Sequence, residues 1–151
     1  MDQKHSDLDR AVRLHIYRHF VATSRPPTTA ETALALDQES LEVAAAYHRL
    51  AASHIIVLQP GGDDIWMAMP FSSIPTAFRV TAGDRWWWAN CGWDALGIPA
   101  MLDMDAQIET DCTDCGEPLT LHVVGGALQE RAGCLHFAVP AARWWDDIGF
   151  T

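Results

Sequence analysis

A cysteine and an aspartate three residues apart are the first side chains in the sequence whose types and spacing suit chemistry. Cys91 and Asp94 lie in the stretch WWWANCGWDALGIPAML. If the aspartate opens a helix, the thiol sits at or just before the helix N-terminus, where backbone N–H groups and the helix dipole favour a thiolate. The flanking tryptophans would exclude water and raise the pKa of the carboxyl group. A binding thiolate beside a proton-donating acid forms an acid–base pair. A buried cysteine and a helix-capping aspartate are the structural alternative.

A second cysteine pair follows in CTDCG, where Cys112 and Cys115 have the spacing of one knuckle of a zinc ribbon. A closed structural zinc site needs about four ligands, and the sequence has no second knuckle. Cys91, Cys134 and His136 would complete a site only if the fold brought them to this turn. Structural thiols are the alternative. We expect Cys134, which alternates with its neighbours in CLHFAVP, to lie in a strand and in the core.

The elements before this region predict three helices and a hairpin. Residues 8–22 carry apolar side chains at i, i+4 spacing, which indicates an amphipathic helix. Thr28 and Glu31 have capping-box spacing and predict the start of a short second helix. Asp37 is expected to cap a third helix, which buries Val43, Tyr47 and Leu50 on one face. HIIVL and IWMAM around PGGDD then predict a β-hairpin.

This order of elements is typical of a winged helix-turn-helix module, which we assign to residues 1–69. The third helix does not suit DNA binding, because its only Lys or Arg is Arg49, accompanied by His48 and opposed by Glu39 and Glu42. A recognition helix brings several cations to the phosphates. The net charge of −10 is also concentrated in the second part, with six Lys/Arg against seven Asp/Glu in residues 1–60 but four against thirteen in residues 61–151. We therefore expect a structural or lid role and no nucleic-acid partner.

The second part of the chain reads as a small β-rich core. Residues 70–83 are expected to be a proline-broken linker that leads into a strand, and residues 84–151 the core itself. Its predicted strands are AQIETDC, EPLTLHVV, CLHFAVP and IGF, with a helix from Asp94 to Leu102 that tolerates Pro99. Trp144 and Trp145 are expected to anchor the C-terminal segment. The fold class predicted is α+β.

Composition adds three expectations. No apolar run in the 151 residues approaches the roughly 20 residues of a membrane span, so no membrane association is expected. The polar start MDQKHSDLDR lacks the apolar region of a signal peptide, which predicts a cytoplasmic protein. Four cysteines in such a protein favour free thiols, metal ligands or catalytic groups over disulfides.

Residues 85–123, RWWWANCGWDALGIPAMLDMDAQIETDCTDCGEPLTLHV, resemble the core of the organomercurial (alkylmercury) lyase family. The shared pattern is an aromatic-flanked C-x-x-D, a Pro-Ala, a strand that ends in cysteine and a Gly-x-Pro turn. Here these are Cys91 with Asp94, Pro99-Ala100, Cys112 and Gly116-Glu117-Pro118. The order and spacing match without gaps over about forty residues, and the N-terminal module also fits the family pattern.

The resemblance implies protonolysis of carbon–mercury bonds. Cys91 would bind the organomercurial as a thiolate, because mercury prefers sulfur ligands, and Asp94 would deliver the proton that releases the hydrocarbon. The implied substrates are small organomercurials or other thiol-reactive compounds, with low-molecular-weight thiols as partners. No cofactor is required, and Hg(II) is the product. Zinc or copper at Cys112 and Cys115 is the alternative metal. Cys112 matches a family cysteine that is usually structural, whereas Cys115 has no obvious equivalent.

The sequence departs from the family pattern at its C-terminal end. The family's second catalytic cysteine would fall at or just after position 152, following AVPAARWWDDIGFT. Truncation, a branch that lacks this thiol, or a stop triplet read as selenocysteine would each explain the departure. The chain as given is expected to bind mercury at Cys91 but to cleave organomercurials poorly. The alternative function is a non-catalytic metal- or thiol-binding module, or a metal-responsive regulator, on the same fold.

Overall fold

A computed structural model of the protein describes residues 2–130 and 133–149, which form helices packed on one antiparallel sheet. The α-helices are α1 (Asp2–Thr23), α2 (Thr29–Leu36), α3 (Ser40–Ala52) and α4 (Gly92–Leu102), and a 3-10 helix spans Ala141–Asp146. The strands are β1 (Val57–Leu58), β2 (Ile65–Ala68), β3 (Phe71–Ser72), β4 (Phe78–Ala82), β5 (Arg85–Ala89), β6 (Ala106–Asp111), β7 (Pro118–Val124) and β8 (Ala127–Leu128). The predicted α+β class is confirmed.

The first two helices follow the sequence patterns. Helix α1 begins earlier than predicted, and its buried face carries Val12, Ile16 and Phe20. The capping box is present: the Thr28 hydroxyl accepts the Glu31 backbone N–H at 3.1 Å, and the Glu31 carboxylate accepts the Thr28 N–H at 2.8 Å. These bonds satisfy donors that a helix start otherwise leaves unpaired.

The predicted role of Asp37 is wrong. Asp37 ends α2 instead of starting α3: its backbone is left-handed, with φ 52°, and its N–H bonds to Ala33 O. Aspartate tolerates this conformation because its short polar side chain can hydrogen-bond locally. Helix α3 starts at Ser40, with Glu39 as an N-cap that makes no side-chain bond. The predicted apolar face of α3 is correct, since Val43, Tyr47 and Leu50 are all buried.

The sheet has the strand order β1-β2-β3-β5-β4-β6-β7-β8, and each neighbouring pair is antiparallel. The predicted hairpin is β1 and β2. Residues 70–83, expected as a linker, contribute β3 and β4 and so connect this hairpin to the later strands within one sheet. The division of the chain at residues 69 and 84 stays a prediction.

Hydrogen bonds at three points join the C-terminal half of α1 and the residue after it to β5 and to the turn between β2 and β3. The buried indole Nε1–H of Trp87 donates to Phe20 O at 2.9 Å, and the Tyr17 hydroxyl donates to Met69 O at 3.0 Å. The Ser24 hydroxyl donates to the carbonyl of Trp86. The N-terminal helices therefore pack directly against the strands that lead to Cys91.

The C-terminal segment differs from its prediction. Residues 133–139 form no strand, and Cys134 is exposed rather than part of the core. Strand β8, which returns through Gly125 and Gly126, pairs with Val123 and Val124 at the C-terminal end of β7. The strand predicted for IGF is not formed by Ile148 and Gly149, which lie in a turn. Its third residue, Phe150, is outside the described residues. Trp145 does contact the rest of the molecule, stacking on His54 with ring centres 4.0 Å apart.

None of the helices in residues 2–130 and 133–149 has the length and apolar character needed to cross a membrane.

Candidate active site

Cys91 lies between β5 and α4, at the N-cap position of the helix. Its backbone is extended, with φ −149°, and its sulfur accepts the backbone N–H of Asp94 at 3.5 Å. The S–H donates in turn to Asp94 Oδ2 at 3.5 Å. The spacing C-x-x-D therefore closes the first turn of α4, and it places thiol and carboxyl in direct contact.

The first turn of α4 is closely covered. A Cβ atom on Gly92 would lie 2.4 Å from Leu135 Cδ1 and 3.3 Å from Phe78 Cε1, so glycine lets these two side chains approach the backbone. The helix buries Ala95, Ile98 and Pro99 on its inner side. Leu135 comes from the C-terminal segment, which therefore borders the site beside Cys91.

Burial dominates the protonation of the pair. Burial raises the pKa of the Cys91 thiol, and the charge of the nearby Asp94 carboxylate raises it further. The backbone N–H groups of Asp94 and Trp93 lower this pKa, but by less. The expected helix-terminus thiolate is thus not favoured in the free site, because desolvation outweighs the backbone donors. Burial also raises the pKa of Asp94, against hydrogen bonds from Asn90 and Cys91 that lower it. This direction for Asp94 agrees with the sequence prediction.

Asn90 touches the pair and Tyr17 interacts with it electrostatically, and neither residue was identified in the sequence. The Asn90 side-chain amide donates to Asp94 Oδ2 at 3.3 Å, while its Oδ1 is buried and has no partner in the described residues. Burial raises the pKa of Tyr17 on α1. The charge of Arg13 lowers this pKa, and the charge of Asp94 raises it. The i, i+4 spacing of Asn90 and Asp94 was a local signal for the first contact. No local pattern indicates that Tyr17 lies near Asp94, because its position depends on the packing of α1 on the sheet.

The tryptophans do not form a uniform dry wall around the site. Trp87 is buried in the core, Trp86 is 37% exposed, and Trp93, next to Asp94, is 63% exposed. Trp86 packs edge-on against Trp88 and lies under the Arg79 guanidinium. Only Trp93 is therefore both adjacent to the pair and open to a bound molecule. A cavity of about 570 Å³ lies elsewhere, between His48, His54 and Trp145, and neither Cys91 nor Asp94 lines it.

Cys112 and Cys115 lie in the turn between β6 and β7. Cys112 is partly exposed and Cys115 is exposed. The combinations considered with Cys91, Cys134 or His136 do not form, since residues 2–130 and 133–149 contain no group of three His, Cys, Asp or Glu side chains placed to hold a metal. In the described residues the two candidate pairs, Cys91 with Asp94 and Cys112 with Cys115, therefore do not join in one metal site.

Comparisons with known proteins place this geometry in a family. The family model for alkylmercury lyase matches residues 71–151, which include Cys91, Asp94 and Cys112. Comparison with curated protein sequences gives no significant match. The crystal structure of the mercury-bound form of MerB2 is similar, with a TM-score of 0.62 and 22% identity, over 84% of this chain and 65% of that chain. That likeness shows a shared fold, and this chain spans 65% of the length of the MerB2 structure. Because the family match covers more than half of the sequence and confirms the resemblance seen in its motifs, the chain belongs to the alkylmercury lyase family.

Proposed function

We propose that the protein cleaves the carbon–mercury bond of small organomercurials, with Cys91 as the mercury ligand and Asp94 as the proton carrier. The observation that supports this proposal best is the contact between the Cys91 thiol and Asp94 Oδ2 at 3.5 Å, within the segment that matches the family. A sulfur that binds mercury and a carboxyl group that moves a proton then adjoin the same substrate atoms.

The first step is capture. As Cys91 Sγ bonds to mercury in R–Hg–SR′, its proton passes to the Asp94 carboxylate and the small thiolate R′S⁻ leaves. The raised pKa of the free thiol is no obstacle, because a bound metal ion deprotonates a coordinating thiol. The raised pKa of Asp94 makes its carboxylate a better acceptor for that proton.

The second step is protonolysis. The Asp94 proton goes to the carbon attached to mercury, the electron pair of the C–Hg bond forms the new C–H bond, and R–H leaves. A low-molecular-weight thiolate rebinds, so that Hg(II) ends between Cys91 and R′S⁻, and Asp94 returns to the carboxylate. No oxidation or reduction occurs, and general acid catalysis of this kind contributes about 10²–10⁴-fold.

Asn90 would keep the carboxyl group aimed at the sulfur. Its amide donates to the same oxygen, Oδ2, that accepts the Cys91 thiol. We therefore expect Asn90→Ala to slow hydrocarbon release while leaving stoichiometric binding of mercury to Cys91 unchanged. Loss of binding together with the rate would show that Asn90 supports the fold of the site rather than its proton transfer.

The N-terminal helices fit a covering role better than a DNA-binding one. Tyr17 of α1 lies near enough to feel the charge of Asp94. Arg49, the one Lys or Arg of α3, is held by Asp9 at 2.6 Å in an ion pair, so it is not free for phosphates. The absence of a nucleic-acid partner and a cytoplasmic location stay predictions, as does the regulator alternative.

Hydrocarbon release with matched variants tests the function. Wild-type protein, Cys91→Ser, Asp94→Asn and the exposed-cysteine control Cys134→Ser are each incubated with phenylmercury and excess thiol, and benzene is quantified by gas chromatography. We expect slow release of benzene from wild type and the control, none from Cys91→Ser, and bound phenylmercury without benzene from Asp94→Asn. Equal benzene from wild type and Cys91→Ser would refute the proposal.

A further inference from the structure

The turn between β6 and β7 presents two thiols that the proposed reaction does not use. It is closed by two backbone bonds of 2.8 Å, from Gly116 N–H to Cys112 O and from Cys112 N–H to Glu117 O. Gly116 adopts φ +74°, which glycine accepts without strain. The turn therefore holds Cys112 and Cys115 on one short, exposed loop.

The backbone of this loop is arranged around the Cys112 sulfur. The N–H groups of Cys115 and Asp114, followed by the Cys115 thiol, donate to it and lower the pKa of Cys112. The Cys115 thiol is among these donors, so the two sulfurs lie side by side on the turn. The side chains of Asp111, Asp114 and Glu117 are exposed around it, so the surroundings favour a cation.

The ligand count selects the kind of ion. Zinc in a structural site takes four ligands, whereas in the described residues no third His, Cys, Asp or Glu side chain is placed to hold a metal together with the pair. Thiolates select soft ions, and Hg(II) forms stable complexes with two thiolates alone. We propose that Cys112 and Cys115 form a second, two-thiolate site for Hg(II).

The sheet places this dithiol near Cys91. In the strand register Phe78 pairs with Ala89 of β5, while Arg79 pairs with Glu109 of β6. The C-terminal ends of β5 and β6 therefore flank the start of β4, and Cys91 and Cys112 follow from these two ends. The ends of β5 and β6 are two strand spacings apart, about 10 Å, so the two cysteines follow from neighbouring points on the same side of the sheet.

This proximity gives the dithiol a use that rests on the proposed function: it receives the product. Hg(II) held between Cys91 and a small thiolate exchanges onto the sulfurs of Cys112 and Cys115. Two new S–Hg bonds form and the two old ones break; one of the two thiol protons passes to Cys91 and the other leaves with the small thiol as R′SH. Cys91 is then free to bind the next organomercurial.

The binding site is tested without any lyase activity. Cys91→Ser/Cys134→Ser protein, which keeps only the dithiol, receives one equivalent of Hg(II) and is desalted in rising concentrations of 2-mercaptoethanol, and mercury is measured by elemental mass spectrometry. The matched control adds Cys115→Ser, an exposed position, with circular dichroism to confirm folding. We expect the dithiol to retain mercury against about 100-fold more competing thiol than the control, because chelation makes the second bond intramolecular.

Equal retention of mercury by the two proteins would overturn the second site. Loss of mercury from the dithiol protein, with zinc bound at the same cysteines instead, would also overturn it. Transfer is tested in Cys134→Ser protein by one turnover of phenylmercury, followed by alkylation of free thiols and peptide mass spectrometry. We expect benzene to be released and Cys91 to be alkylated. Cys112 and Cys115 should be protected from alkylation by the bound Hg(II). Benzene with Cys91 protected would refute the transfer, whereas absence of benzene would refute the lyase reaction and leave the binding result standing.

Discussion

Trp87→Phe tests how the N-terminal helices are fixed to the strands that carry the site. Trp87 is 1% exposed, and its indole N–H donates to Phe20 O in the last turns of α1. Phenylalanine keeps an aromatic ring in the core but removes this donor. The substitution therefore weakens the fastening between α1 and β5 while preserving most of the packing.

The expected cost is about 2 kcal/mol of unfolding free energy. Phe20 O keeps a second bond, from Ser24 N–H at 2.9 Å, so losing the indole bond costs about 1 kcal/mol rather than the larger penalty of an unpaired carbonyl. The smaller ring gives up roughly 1 kcal/mol of apolar burial. At about 2–4 °C per kcal/mol for a chain of this size, the melting temperature falls by roughly 4–8 °C.

Urea denaturation followed by far-ultraviolet circular dichroism measures this cost without relying on tryptophan fluorescence. The control is Trp86→Phe on the same strand, where the ring is 37% exposed and its indole N–H is not part of this contact. We expect the control to lose about 0.5 kcal/mol. Equal losses in the two variants, or a loss below about 0.5 kcal/mol in Trp87→Phe, would refute the reasoning.

Three further variants test local features. Thr28→Ala removes the N-cap of α2 and should cost about 1 kcal/mol in urea denaturation, and an unchanged midpoint would contradict the capping box. Burial lowers the pKa of His15 and His19, so the folded state binds fewer protons than the unfolded state just below pH 6.5. Stability should therefore fall as the pH drops from 7 to about 5, and His15→Gln/His19→Gln should flatten that fall; the same slope in both proteins would refute the assignment. Burial raises the pKa of Asp94, so keeping its carboxylate in the folded protein lowers the free energy of unfolding at pH values above that pKa. This cost disappears in acid, where the carboxyl group is protonated in both states. Asp94→Asn should gain stability relative to wild type at pH 7 and lose that gain at lower pH, and a gain independent of pH would contradict the burial effect.

Local spacing explains what could be predicted from the sequence. The capping box, the hairpin and the N-cap position of Cys91 each depend on residues within a few positions of one another, where backbone geometry limits the alternatives. The contact of Cys91 with Asp94 belongs to this group, because three residues span one helical turn.

The errors arise where distant parts of the chain compete. Aspartate suits either end of a helix, and Asp37 ends α2 instead of starting α3. Alternation around Cys134 suited a strand, but residues 133–139 pair with no strand of the described sheet. The helix start predicted a thiolate at Cys91, whereas the desolvation that raises its pKa comes from burial that only the folded chain creates. The contribution of α1 to the site through Tyr17 was invisible for the same reason.

The origin of the proton in the released hydrocarbon tests the central claim most directly. In a single turnover of phenylmercury in D₂O, Asp94 and Cys91 carry exchangeable deuterons, so we expect wild type to release one equivalent of benzene with a single deuterium. Asp94→Asn should bind phenylmercury and release none. Labelled benzene formed at the wild-type rate by Asp94→Asn, or no benzene from wild type, would contradict the account.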